Sequence, residues 1–304
     1  MSSSNKTIFS EDLVCKELIK NCIPYRKRKS KEESVIIHGD IFNWLDKLEL
    51  DSFDLIIVDP PYNLNKNFSN YYFPKKSNEE YEEWIESWVI KLQSLLKPTG
   101  TIYICCDWKC STNFYKVLSK YFYIQNRITW EREKGRGSKS NWKNCSEDIW
   151  FATKTRDYIF NIEDVKHKKP VIAPYKDKSG NPKDWKESKG KNFRLTHPSN
   201  LWSDITVPFW SMDENTEHPT QKPEKLIAKL ILASSNEGDW VLDPFSGVGT
   251  TSVVAKKLNR KYIGIEQAYT YCAIAQERLS LADKSSKIQG YEDWGNRKVF
   301  VKNR

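Results

Sequence analysis

The chain has 304 residues, 38% hydrophobic and 13% aromatic, which is enough apolar material for a full core and excludes a disordered polymer. Lys and Arg outnumber Asp and Glu by 49 to 40, a net charge of +9 that favours an anionic partner, nucleic acid first. No run reaches the roughly 20 apolar residues of a membrane helix, and the N-terminus lacks the apolar core of a signal peptide. With seven cysteines in a chain of this size, a reducing, cytoplasmic setting is expected, with no membrane and no metal site. Cys105 and Cys106 close an apolar run and read as packing residues.

In chain order, Val35-Ile36-Ile37 is the first expected strand and Ile41 to Leu48 the first expected helix. Asp54 to Val58 is the second strand, and it stops on Asp59-Pro60-Pro61-Tyr62, an acid, two rigid residues and an aromatic. Tyr81 to Leu96 is the clearest helix, with Trp84, Trp88, Leu92 and Leu95 at three- and four-residue steps, closed by Lys97-Pro98-Thr99-Gly100. A strand over Thr101 to Cys105 and a helix over Asn113 to Ser119 follow. Ile149 to Thr153 and Tyr158 to Ile162 flank the polar turn Lys154 to Asp157 and read as an antiparallel hairpin. From Glu163 to about Ser211 the chain turns polar, basic and rich in Pro, Trp and Asn, too long for an idle loop. Helix Pro223 to Ser234, strand Trp240 to Leu242, helix Thr250 to Leu258 and strand Tyr262 to Ile265 complete the pattern. Strands alternating with helices predict an α/β fold with a doubly wound, mostly parallel sheet. The expected divisions are 1–34, an N-terminal extension; 35–162, a catalytic half; 163–211, an insert; 212–282, a cofactor half; and 283–304, a tail.

The run Asp243-Pro244-Phe245-Ser246-Gly247-Val248-Gly249-Thr250 joins a strand to a helix, and its glycines permit a tight turn close to a ligand. Glu266 closes the next strand, where an acid can accept hydrogen bonds from both hydroxyls of a ribose. The loop is one glycine short of a dinucleotide fingerprint and has no Lys-Ser/Thr pair for a triphosphate.

These residues carry a resemblance. Asp243 to Thr250 resembles the S-adenosylmethionine loop of DNA amino-methyltransferases, Asp59-Pro60-Pro61-Tyr62 resembles their catalytic motif, and His218-Pro219-Thr220-Gln221-Lys222-Pro223 resembles the segment before their cofactor loop. The order is that of the β group and covers about Val35 to Leu279. The resemblance implies a Rossmann-like class I methyltransferase fold, S-adenosylmethionine as cofactor and double-stranded DNA as partner. It implies that Glu266 takes the ribose hydroxyls, Asp243 with Phe245 to Thr250 wraps the methionine part, Asp40 meets the adenine amino group, and Thr220 and Lys222 lie near the cofactor's carboxylate. Asp40 is equally placed to cap the helix starting at Ile41.

In the catalytic motif, the Asp59 carboxylate and the Pro60 carbonyl are two acceptors for the hydrogens of a base amine, and Tyr62 is a face for stacking. Such a base must be flipped out of the duplex. No Pro-Cys pair occurs, so a C5-cytosine enzyme is excluded. In the family, Asp at the first position leans towards adenine N6 and Ser towards cytosine N4, so Asp59 favours adenine. The alternatives are an N4-cytosine enzyme and a catalytically silent DNA-binding subunit; an RNA or protein-glutamine methyltransferase is disfavoured by Asp in place of Asn. Asn63 to Lys76, Trp130 to Lys143 and Lys166 to Arg194 are the expected DNA-facing stretches, the last as a target-recognition region. A restriction-modification or epigenetic marking system is the expected setting, any endonuclease is a separate protein, and a homodimer is a further expectation.

Overall fold

The computed structural model describes residues 5–9, 33–68, 71–132, 137, 139–171, 175–181, 183, 185–188, 191–294 and 297–301. Most of the N-terminal extension and parts of all three basic stretches lie outside the described residues. Among the described residues no helix is long and apolar enough to cross a membrane.

The central sheet has eight strands. β1 (Val35–His38), β2 (Phe53–Val58), β5 (Leu96–Cys106), β6 (Tyr123–Glu131), β7 (Ser146–Thr153), β11 (Leu201–Trp202), β12 (Trp240–Asp243) and β13 (Lys261–Glu266) lie in the order β1-β13-β12-β2-β5-β7-β6-β11. The pairs from β1 across to β5 are parallel; β5–β7 and β7–β6 are antiparallel. Every residue of β2 is buried. Its Leu55 and Ile57 face the core shared with α3 (Glu224–Ser234), α4 (Thr250–Lys257) and α5 (Tyr269–Lys284), while Ile56 and Val58 face the one shared with α1 (Asn78–Leu95) and α2 (Ser111–Tyr121). A strand covered on both sides needs an apolar run, which β2 has from Leu55 to Val58, while its buried Asp54 is paired with Lys97 at 2.7 Å.

Helix α1 starts earlier than the hydrophobic spacing predicts, because Ser77 and Glu80 form a capping box: the Ser77 hydroxyl takes the Glu80 amide at 3.1 Å and the Glu80 carboxylate takes the Ser77 amide at 2.9 Å. Lys97-Pro98-Thr99-Gly100 is no loop, since β5 begins at Leu96 directly after the helix. The register shift between the Phe53 and Leu55 pairings is where Pro98, with no amide to donate, is tolerated. The expected helix over Ile41 to Leu48 is instead two short 3-10 turns, Ile41–Asn43 and Leu45–Lys47.

The expected hairpin is corrected. β7 pairs with the upstream strand β6, and Tyr158 to Asn161 is not a strand. Its aromatics pack: the Tyr158 and Phe160 rings each lie 5.8 Å from that of Phe151. Its polar groups go to the end of α3, where the Asn161 amide donates to Ala233 O at 2.7 Å and its side chain donates to Leu232 O and Ser235 O. The segment thus serves a helix C-terminus through Asn161, since the last carbonyls of a helix need donors.

The polar insert is folded in part. Its β8 (His167–Pro170), β9 (Lys186–Ser188) and β10 (Lys191–Thr196) join β14 (Tyr291–Trp294) and β15 (Arg297–Phe300) in a second sheet, order β14-β15-β8-β10-β9. Insert and chain end therefore share one small sheet. A two-stranded ribbon, β3 (Lys66–Phe68) with β4 (Tyr71–Phe73), follows the Asp59 step.

Candidate active site

Four acids stand at the carboxyl ends of four adjacent parallel strands. Asp40 lies just beyond β1, Glu266 ends β13, Asp243 ends β12 and Asp59 follows β2. Between β12 and β2 the chain's direction of travel across the sheet reverses, and a crevice opens there in folds of this type. The pocket in it is lined by Asp40, Asp59, Pro60, Pro61, Tyr62, Thr220, Lys222, Asp243, Pro244, Phe245, Ser246, Gly247, Thr250 and Glu266. Of the residues expected there, Gly249 alone is not in the wall.

Gly249 works beneath it. It has φ 74° in front of α4, and a Cβ there would meet the Cβ of Ala275 at 2.7 Å. Gly247 has φ 50°, and the His218 ring stands 3.4 Å from where its Cβ would be. Arg278, buried on α5, holds the loop from below by donating to Val248 O and to the Thr250 hydroxyl, both at 2.9 Å.

Glu266 accepts the Gly247 amide at 2.8 Å on one oxygen and the Ala268 amide at 2.6 Å on the other. Each oxygen keeps room for a further donor, as two vicinal hydroxyls require. Burial raises its pKa to about 7 against the pull of those amides. Burial likewise raises Asp243 to about 7, opposed by the Thr251 hydroxyl and the Phe245 amide. His218 is held neutral, its pKa pushed to about 3 by burial and by the cations Lys66, Lys222 and Arg278. Asp40 accepts the Phe42 amide at 2.8 Å and caps the first 3-10 turn while also lining the pocket.

Around Asp59 lies a network that local sequence does not disclose. Lys222 donates to both Asp59 oxygens at 2.7 Å, and Tyr62 donates to one of them at 3.0 Å. Glu147, whose side chain is 5% exposed, lies 3.2 Å from Lys222 Nζ and 3.2 Å from the Tyr62 hydroxyl, and its other oxygen takes Arg132 at 2.7 Å. Burial lowers the Lys222 pKa, but the Asp59 and Glu147 charges outweigh that and raise it overall. Burial first, then the same two carboxylates, raise that of Tyr62. Lys222 therefore faces the acid at the end of β2. Nothing local marks Glu147: it reaches the site because β7 runs antiparallel to β5, which brings its N-terminal end to the sheet edge where β5 finishes.

The residues suit S-adenosylmethionine: an acid with two open acceptor positions, a glycine-bearing loop under it, and apolar walls from Phe245, Ile265 and Tyr271. Among the described residues no group of three His, Cys, Asp or Glu could hold a metal ion.

Comparison with known proteins agrees. The family model described as DNA methylase matches residues 53–277. The chain is 36% identical to the type II methyltransferase M.HpaI of Haemophilus parainfluenzae over 260 residues, covering 84% of this chain and 76% of that protein. It is 34% identical to the DNA adenine methyltransferase YhdJ of Escherichia coli (strain K12), covering 85% of this chain and 87% of that one. Among solved structures, the M1.HpyAVI–SAM complex matches with TM-score 0.52 at 28% identity, covering 80% of this chain and 98% of that one. The cytosine-N4-specific PvuII DNA methyltransferase shares the fold, with TM-score 0.58 at 20% identity over 83% of this chain and 92% of that one. The chain belongs to the N6/N4 DNA methylase family, the S-adenosylmethionine-dependent amino-methyltransferases of DNA.

Proposed function

We propose that the protein methylates adenine N6 at a specific DNA sequence, on a base flipped into the pocket at Asp59. The observation that carries this is the position of Asp59: it shares one pocket with Glu266 and the Gly247 loop, so an amine held by the acid lies beside the cofactor site. S-adenosylmethionine, when bound, supplies an electrophilic methyl carbon on a positively charged sulfur. Asp59 accepts one amine hydrogen and the Pro60 carbonyl the other, which frees the amine lone pair for in-line attack. Asp59 then takes the proton that the methylated amine loses. Tyr62 lines the base side of the pocket, and its hydroxyl is anchored inward on Asp59 and Glu147.

Asp at the first motif position and the adenine activity named for the Escherichia coli relative both favour adenine. Cytosine N4 is the second reading, favoured by the shared fold of the PvuII enzyme. We place the protein in the cytoplasm, within a restriction-modification system whose endonuclease is a separate chain, and treat the basic insert as the target-recognition region. The test is digestion to nucleosides of DNA incubated with the protein and labelled cofactor, followed by mass spectrometry. N6-methyladenine is the expected product; N4-methylcytosine selects the second reading, and unlabelled DNA rejects both. Asp59→Ala removes transfer and leaves cofactor binding, read by calorimetry, within a few-fold.

A further inference from the structure

Asp59 must present an open acceptor to the target amine, yet it is already crowded. Lys222 Nζ bridges both of its oxygens at 2.7 Å, and the Tyr62 hydroxyl donates to Oδ1 at 3.0 Å. A carboxylate has about four acceptor positions. With these donors turned fully onto Asp59, little acceptor strength is left for the amine.

A second acceptor stands behind the first. Glu147 Oε2 lies 3.2 Å from the Tyr62 hydroxyl and 3.2 Å from Lys222 Nζ, so each donor that reaches Asp59 also reaches Glu147. Tyr62 has one hydroxyl hydrogen, which makes one full bond, to Asp59 or to Glu147. Its hydroxyl oxygen meanwhile lies 3.2 Å from Lys222 Nζ, as an acceptor. Glu147 is itself fixed, its other oxygen held by Arg132 at 2.7 Å and its side chain buried. The Arg132 amide donates to Cys145 O at 2.6 Å, so this support sits where the backbone closes the base of the Trp130 to Lys143 stretch.

We infer that Glu147 is a positioning residue for methyl transfer: it accepts the Tyr62 hydroxyl and shares the Lys222 ammonium, leaving an Asp59 oxygen open to the target amine. The inference rests on the reading of Asp59 given above and adds to it a residue outside every motif of the sequence. Lys222 is shared between the two carboxylates, so a neutral side chain at 147 commits it to Asp59 alone. The amine then competes with a full ion pair, and the geometry for attack is lost in the step after binding.

Glu147→Gln keeps the shape and the Arg132 side of the contact with an oxygen acceptor. Its kcat is expected to fall by about ten- to a hundredfold, the scale of a misplaced reacting group. Cofactor Kd by calorimetry and DNA Kd by gel shift are expected to stay within about twofold of the parent, because Glu147 is buried and does not line the pocket. Combined with Tyr62→Phe, the loss is smaller than the product of the two single losses, since both changes break one shared contact. A merely structural role would instead weaken binding and kcat together, and the two losses would multiply; that pattern overturns the inference, as does a Glu147→Gln enzyme with parental kcat. If Glu147→Gln does not fold, Arg132→Gln with Tyr62→Phe gives the same cycle from the other side of Glu147, and multiplying losses there reject it. A parent enzyme that leaves DNA unlabelled rejects this inference and the proposed function together, whereas parental kcat in an active Glu147→Gln enzyme rejects this inference alone.

Discussion

Lys222 holds both carboxylate oxygens of Asp59 at 2.7 Å, joining the segment before the cofactor loop to the acid that ends β2. The Lys222 side chain is 6% exposed and that of Asp59 24%, so water screens the pair only in part. Lys222→Met strips this support and leaves Asp59 and Glu147 facing each other across an apolar side chain. Unfolding in denaturant is expected to show a loss of about 3 kcal/mol, the scale for breaking a buried pair. The raised pKa of Lys222 fixes the pH window. The contribution is fully present below the ordinary lysine value of 10.5 and is lost as pH rises through the higher folded value, so Lys222 itself adds no pH dependence at neutral pH. The gap to Lys222→Met narrows only towards acid, where the two carboxylates left without their cation take up protons.

Glu266 gives the opposite dependence. Its folded pKa of about 7 lies above the ordinary 4.5, so the folded state holds a proton that the unfolded state releases. Its contribution to stability is present below the ordinary value and declines as pH rises from there towards 7. Ribose hydroxyls donate best to the ionised form, so cofactor affinity by calorimetry is expected to rise by up to about tenfold per pH unit below the pKa and to level off above it. Glu266→Gln flattens that profile and weakens binding above about pH 7, where the parent acid is ionised; an unchanged profile would remove Glu266 from the cofactor site.

Gly249→Ala is expected to destabilise by about 1–3 kcal/mol, because the left-handed backbone at φ 74° and the 2.7 Å approach to Ala275 both resist a methyl group. Thermal unfolding reads the loss directly. Gly247→Ala carries the backbone penalty with only a tight contact at His218, so its larger effect falls on cofactor affinity.

With a net charge of +9, DNA affinity is expected to fall about a thousandfold between about 50 and about 200 mM salt if six or so phosphates are neutralised. Gel-shift titrations over that range give the slope. A shallow slope would take the basic stretches out of the interface.

The four acids were legible because each obeys a local rule: an apolar run, then an acid where a parallel strand ends. Gly247 and Gly249 were legible because tight strand-to-helix turns leave few other choices. The partner of β7 was not, since the aromatics of Tyr158 to Asn161 resemble strand alternation while they pack on Phe151 and Asn161 binds the end of α3. Glu147 and the Lys222 contact depend on which strands become neighbours, and no window of sequence encodes that. Ile41 to Leu48 has helical spacing, but its apolar residues Ile41, Trp44, Leu45 and Leu48 are buried by two separate 3-10 turns, the first begun by the Asp40 cap.

The order β1-β13-β12-β2 has a consequence for how the chain is made. β1 and β2 emerge from the ribosome early, but the two strands that belong between them are translated only after the insert. The nascent chain up to β7 therefore carries two apolar strand edges with no neighbour to cover them until β12 and β13 arrive. Closure of the sheet between β1 and β2 is thus expected late, in the step that brings the loop after β12 beside the acid after β2. A fragment ending before β12 is expected to need a chaperone and to bind no cofactor, and splitting the gene between the two halves should yield activity only when both are synthesised together.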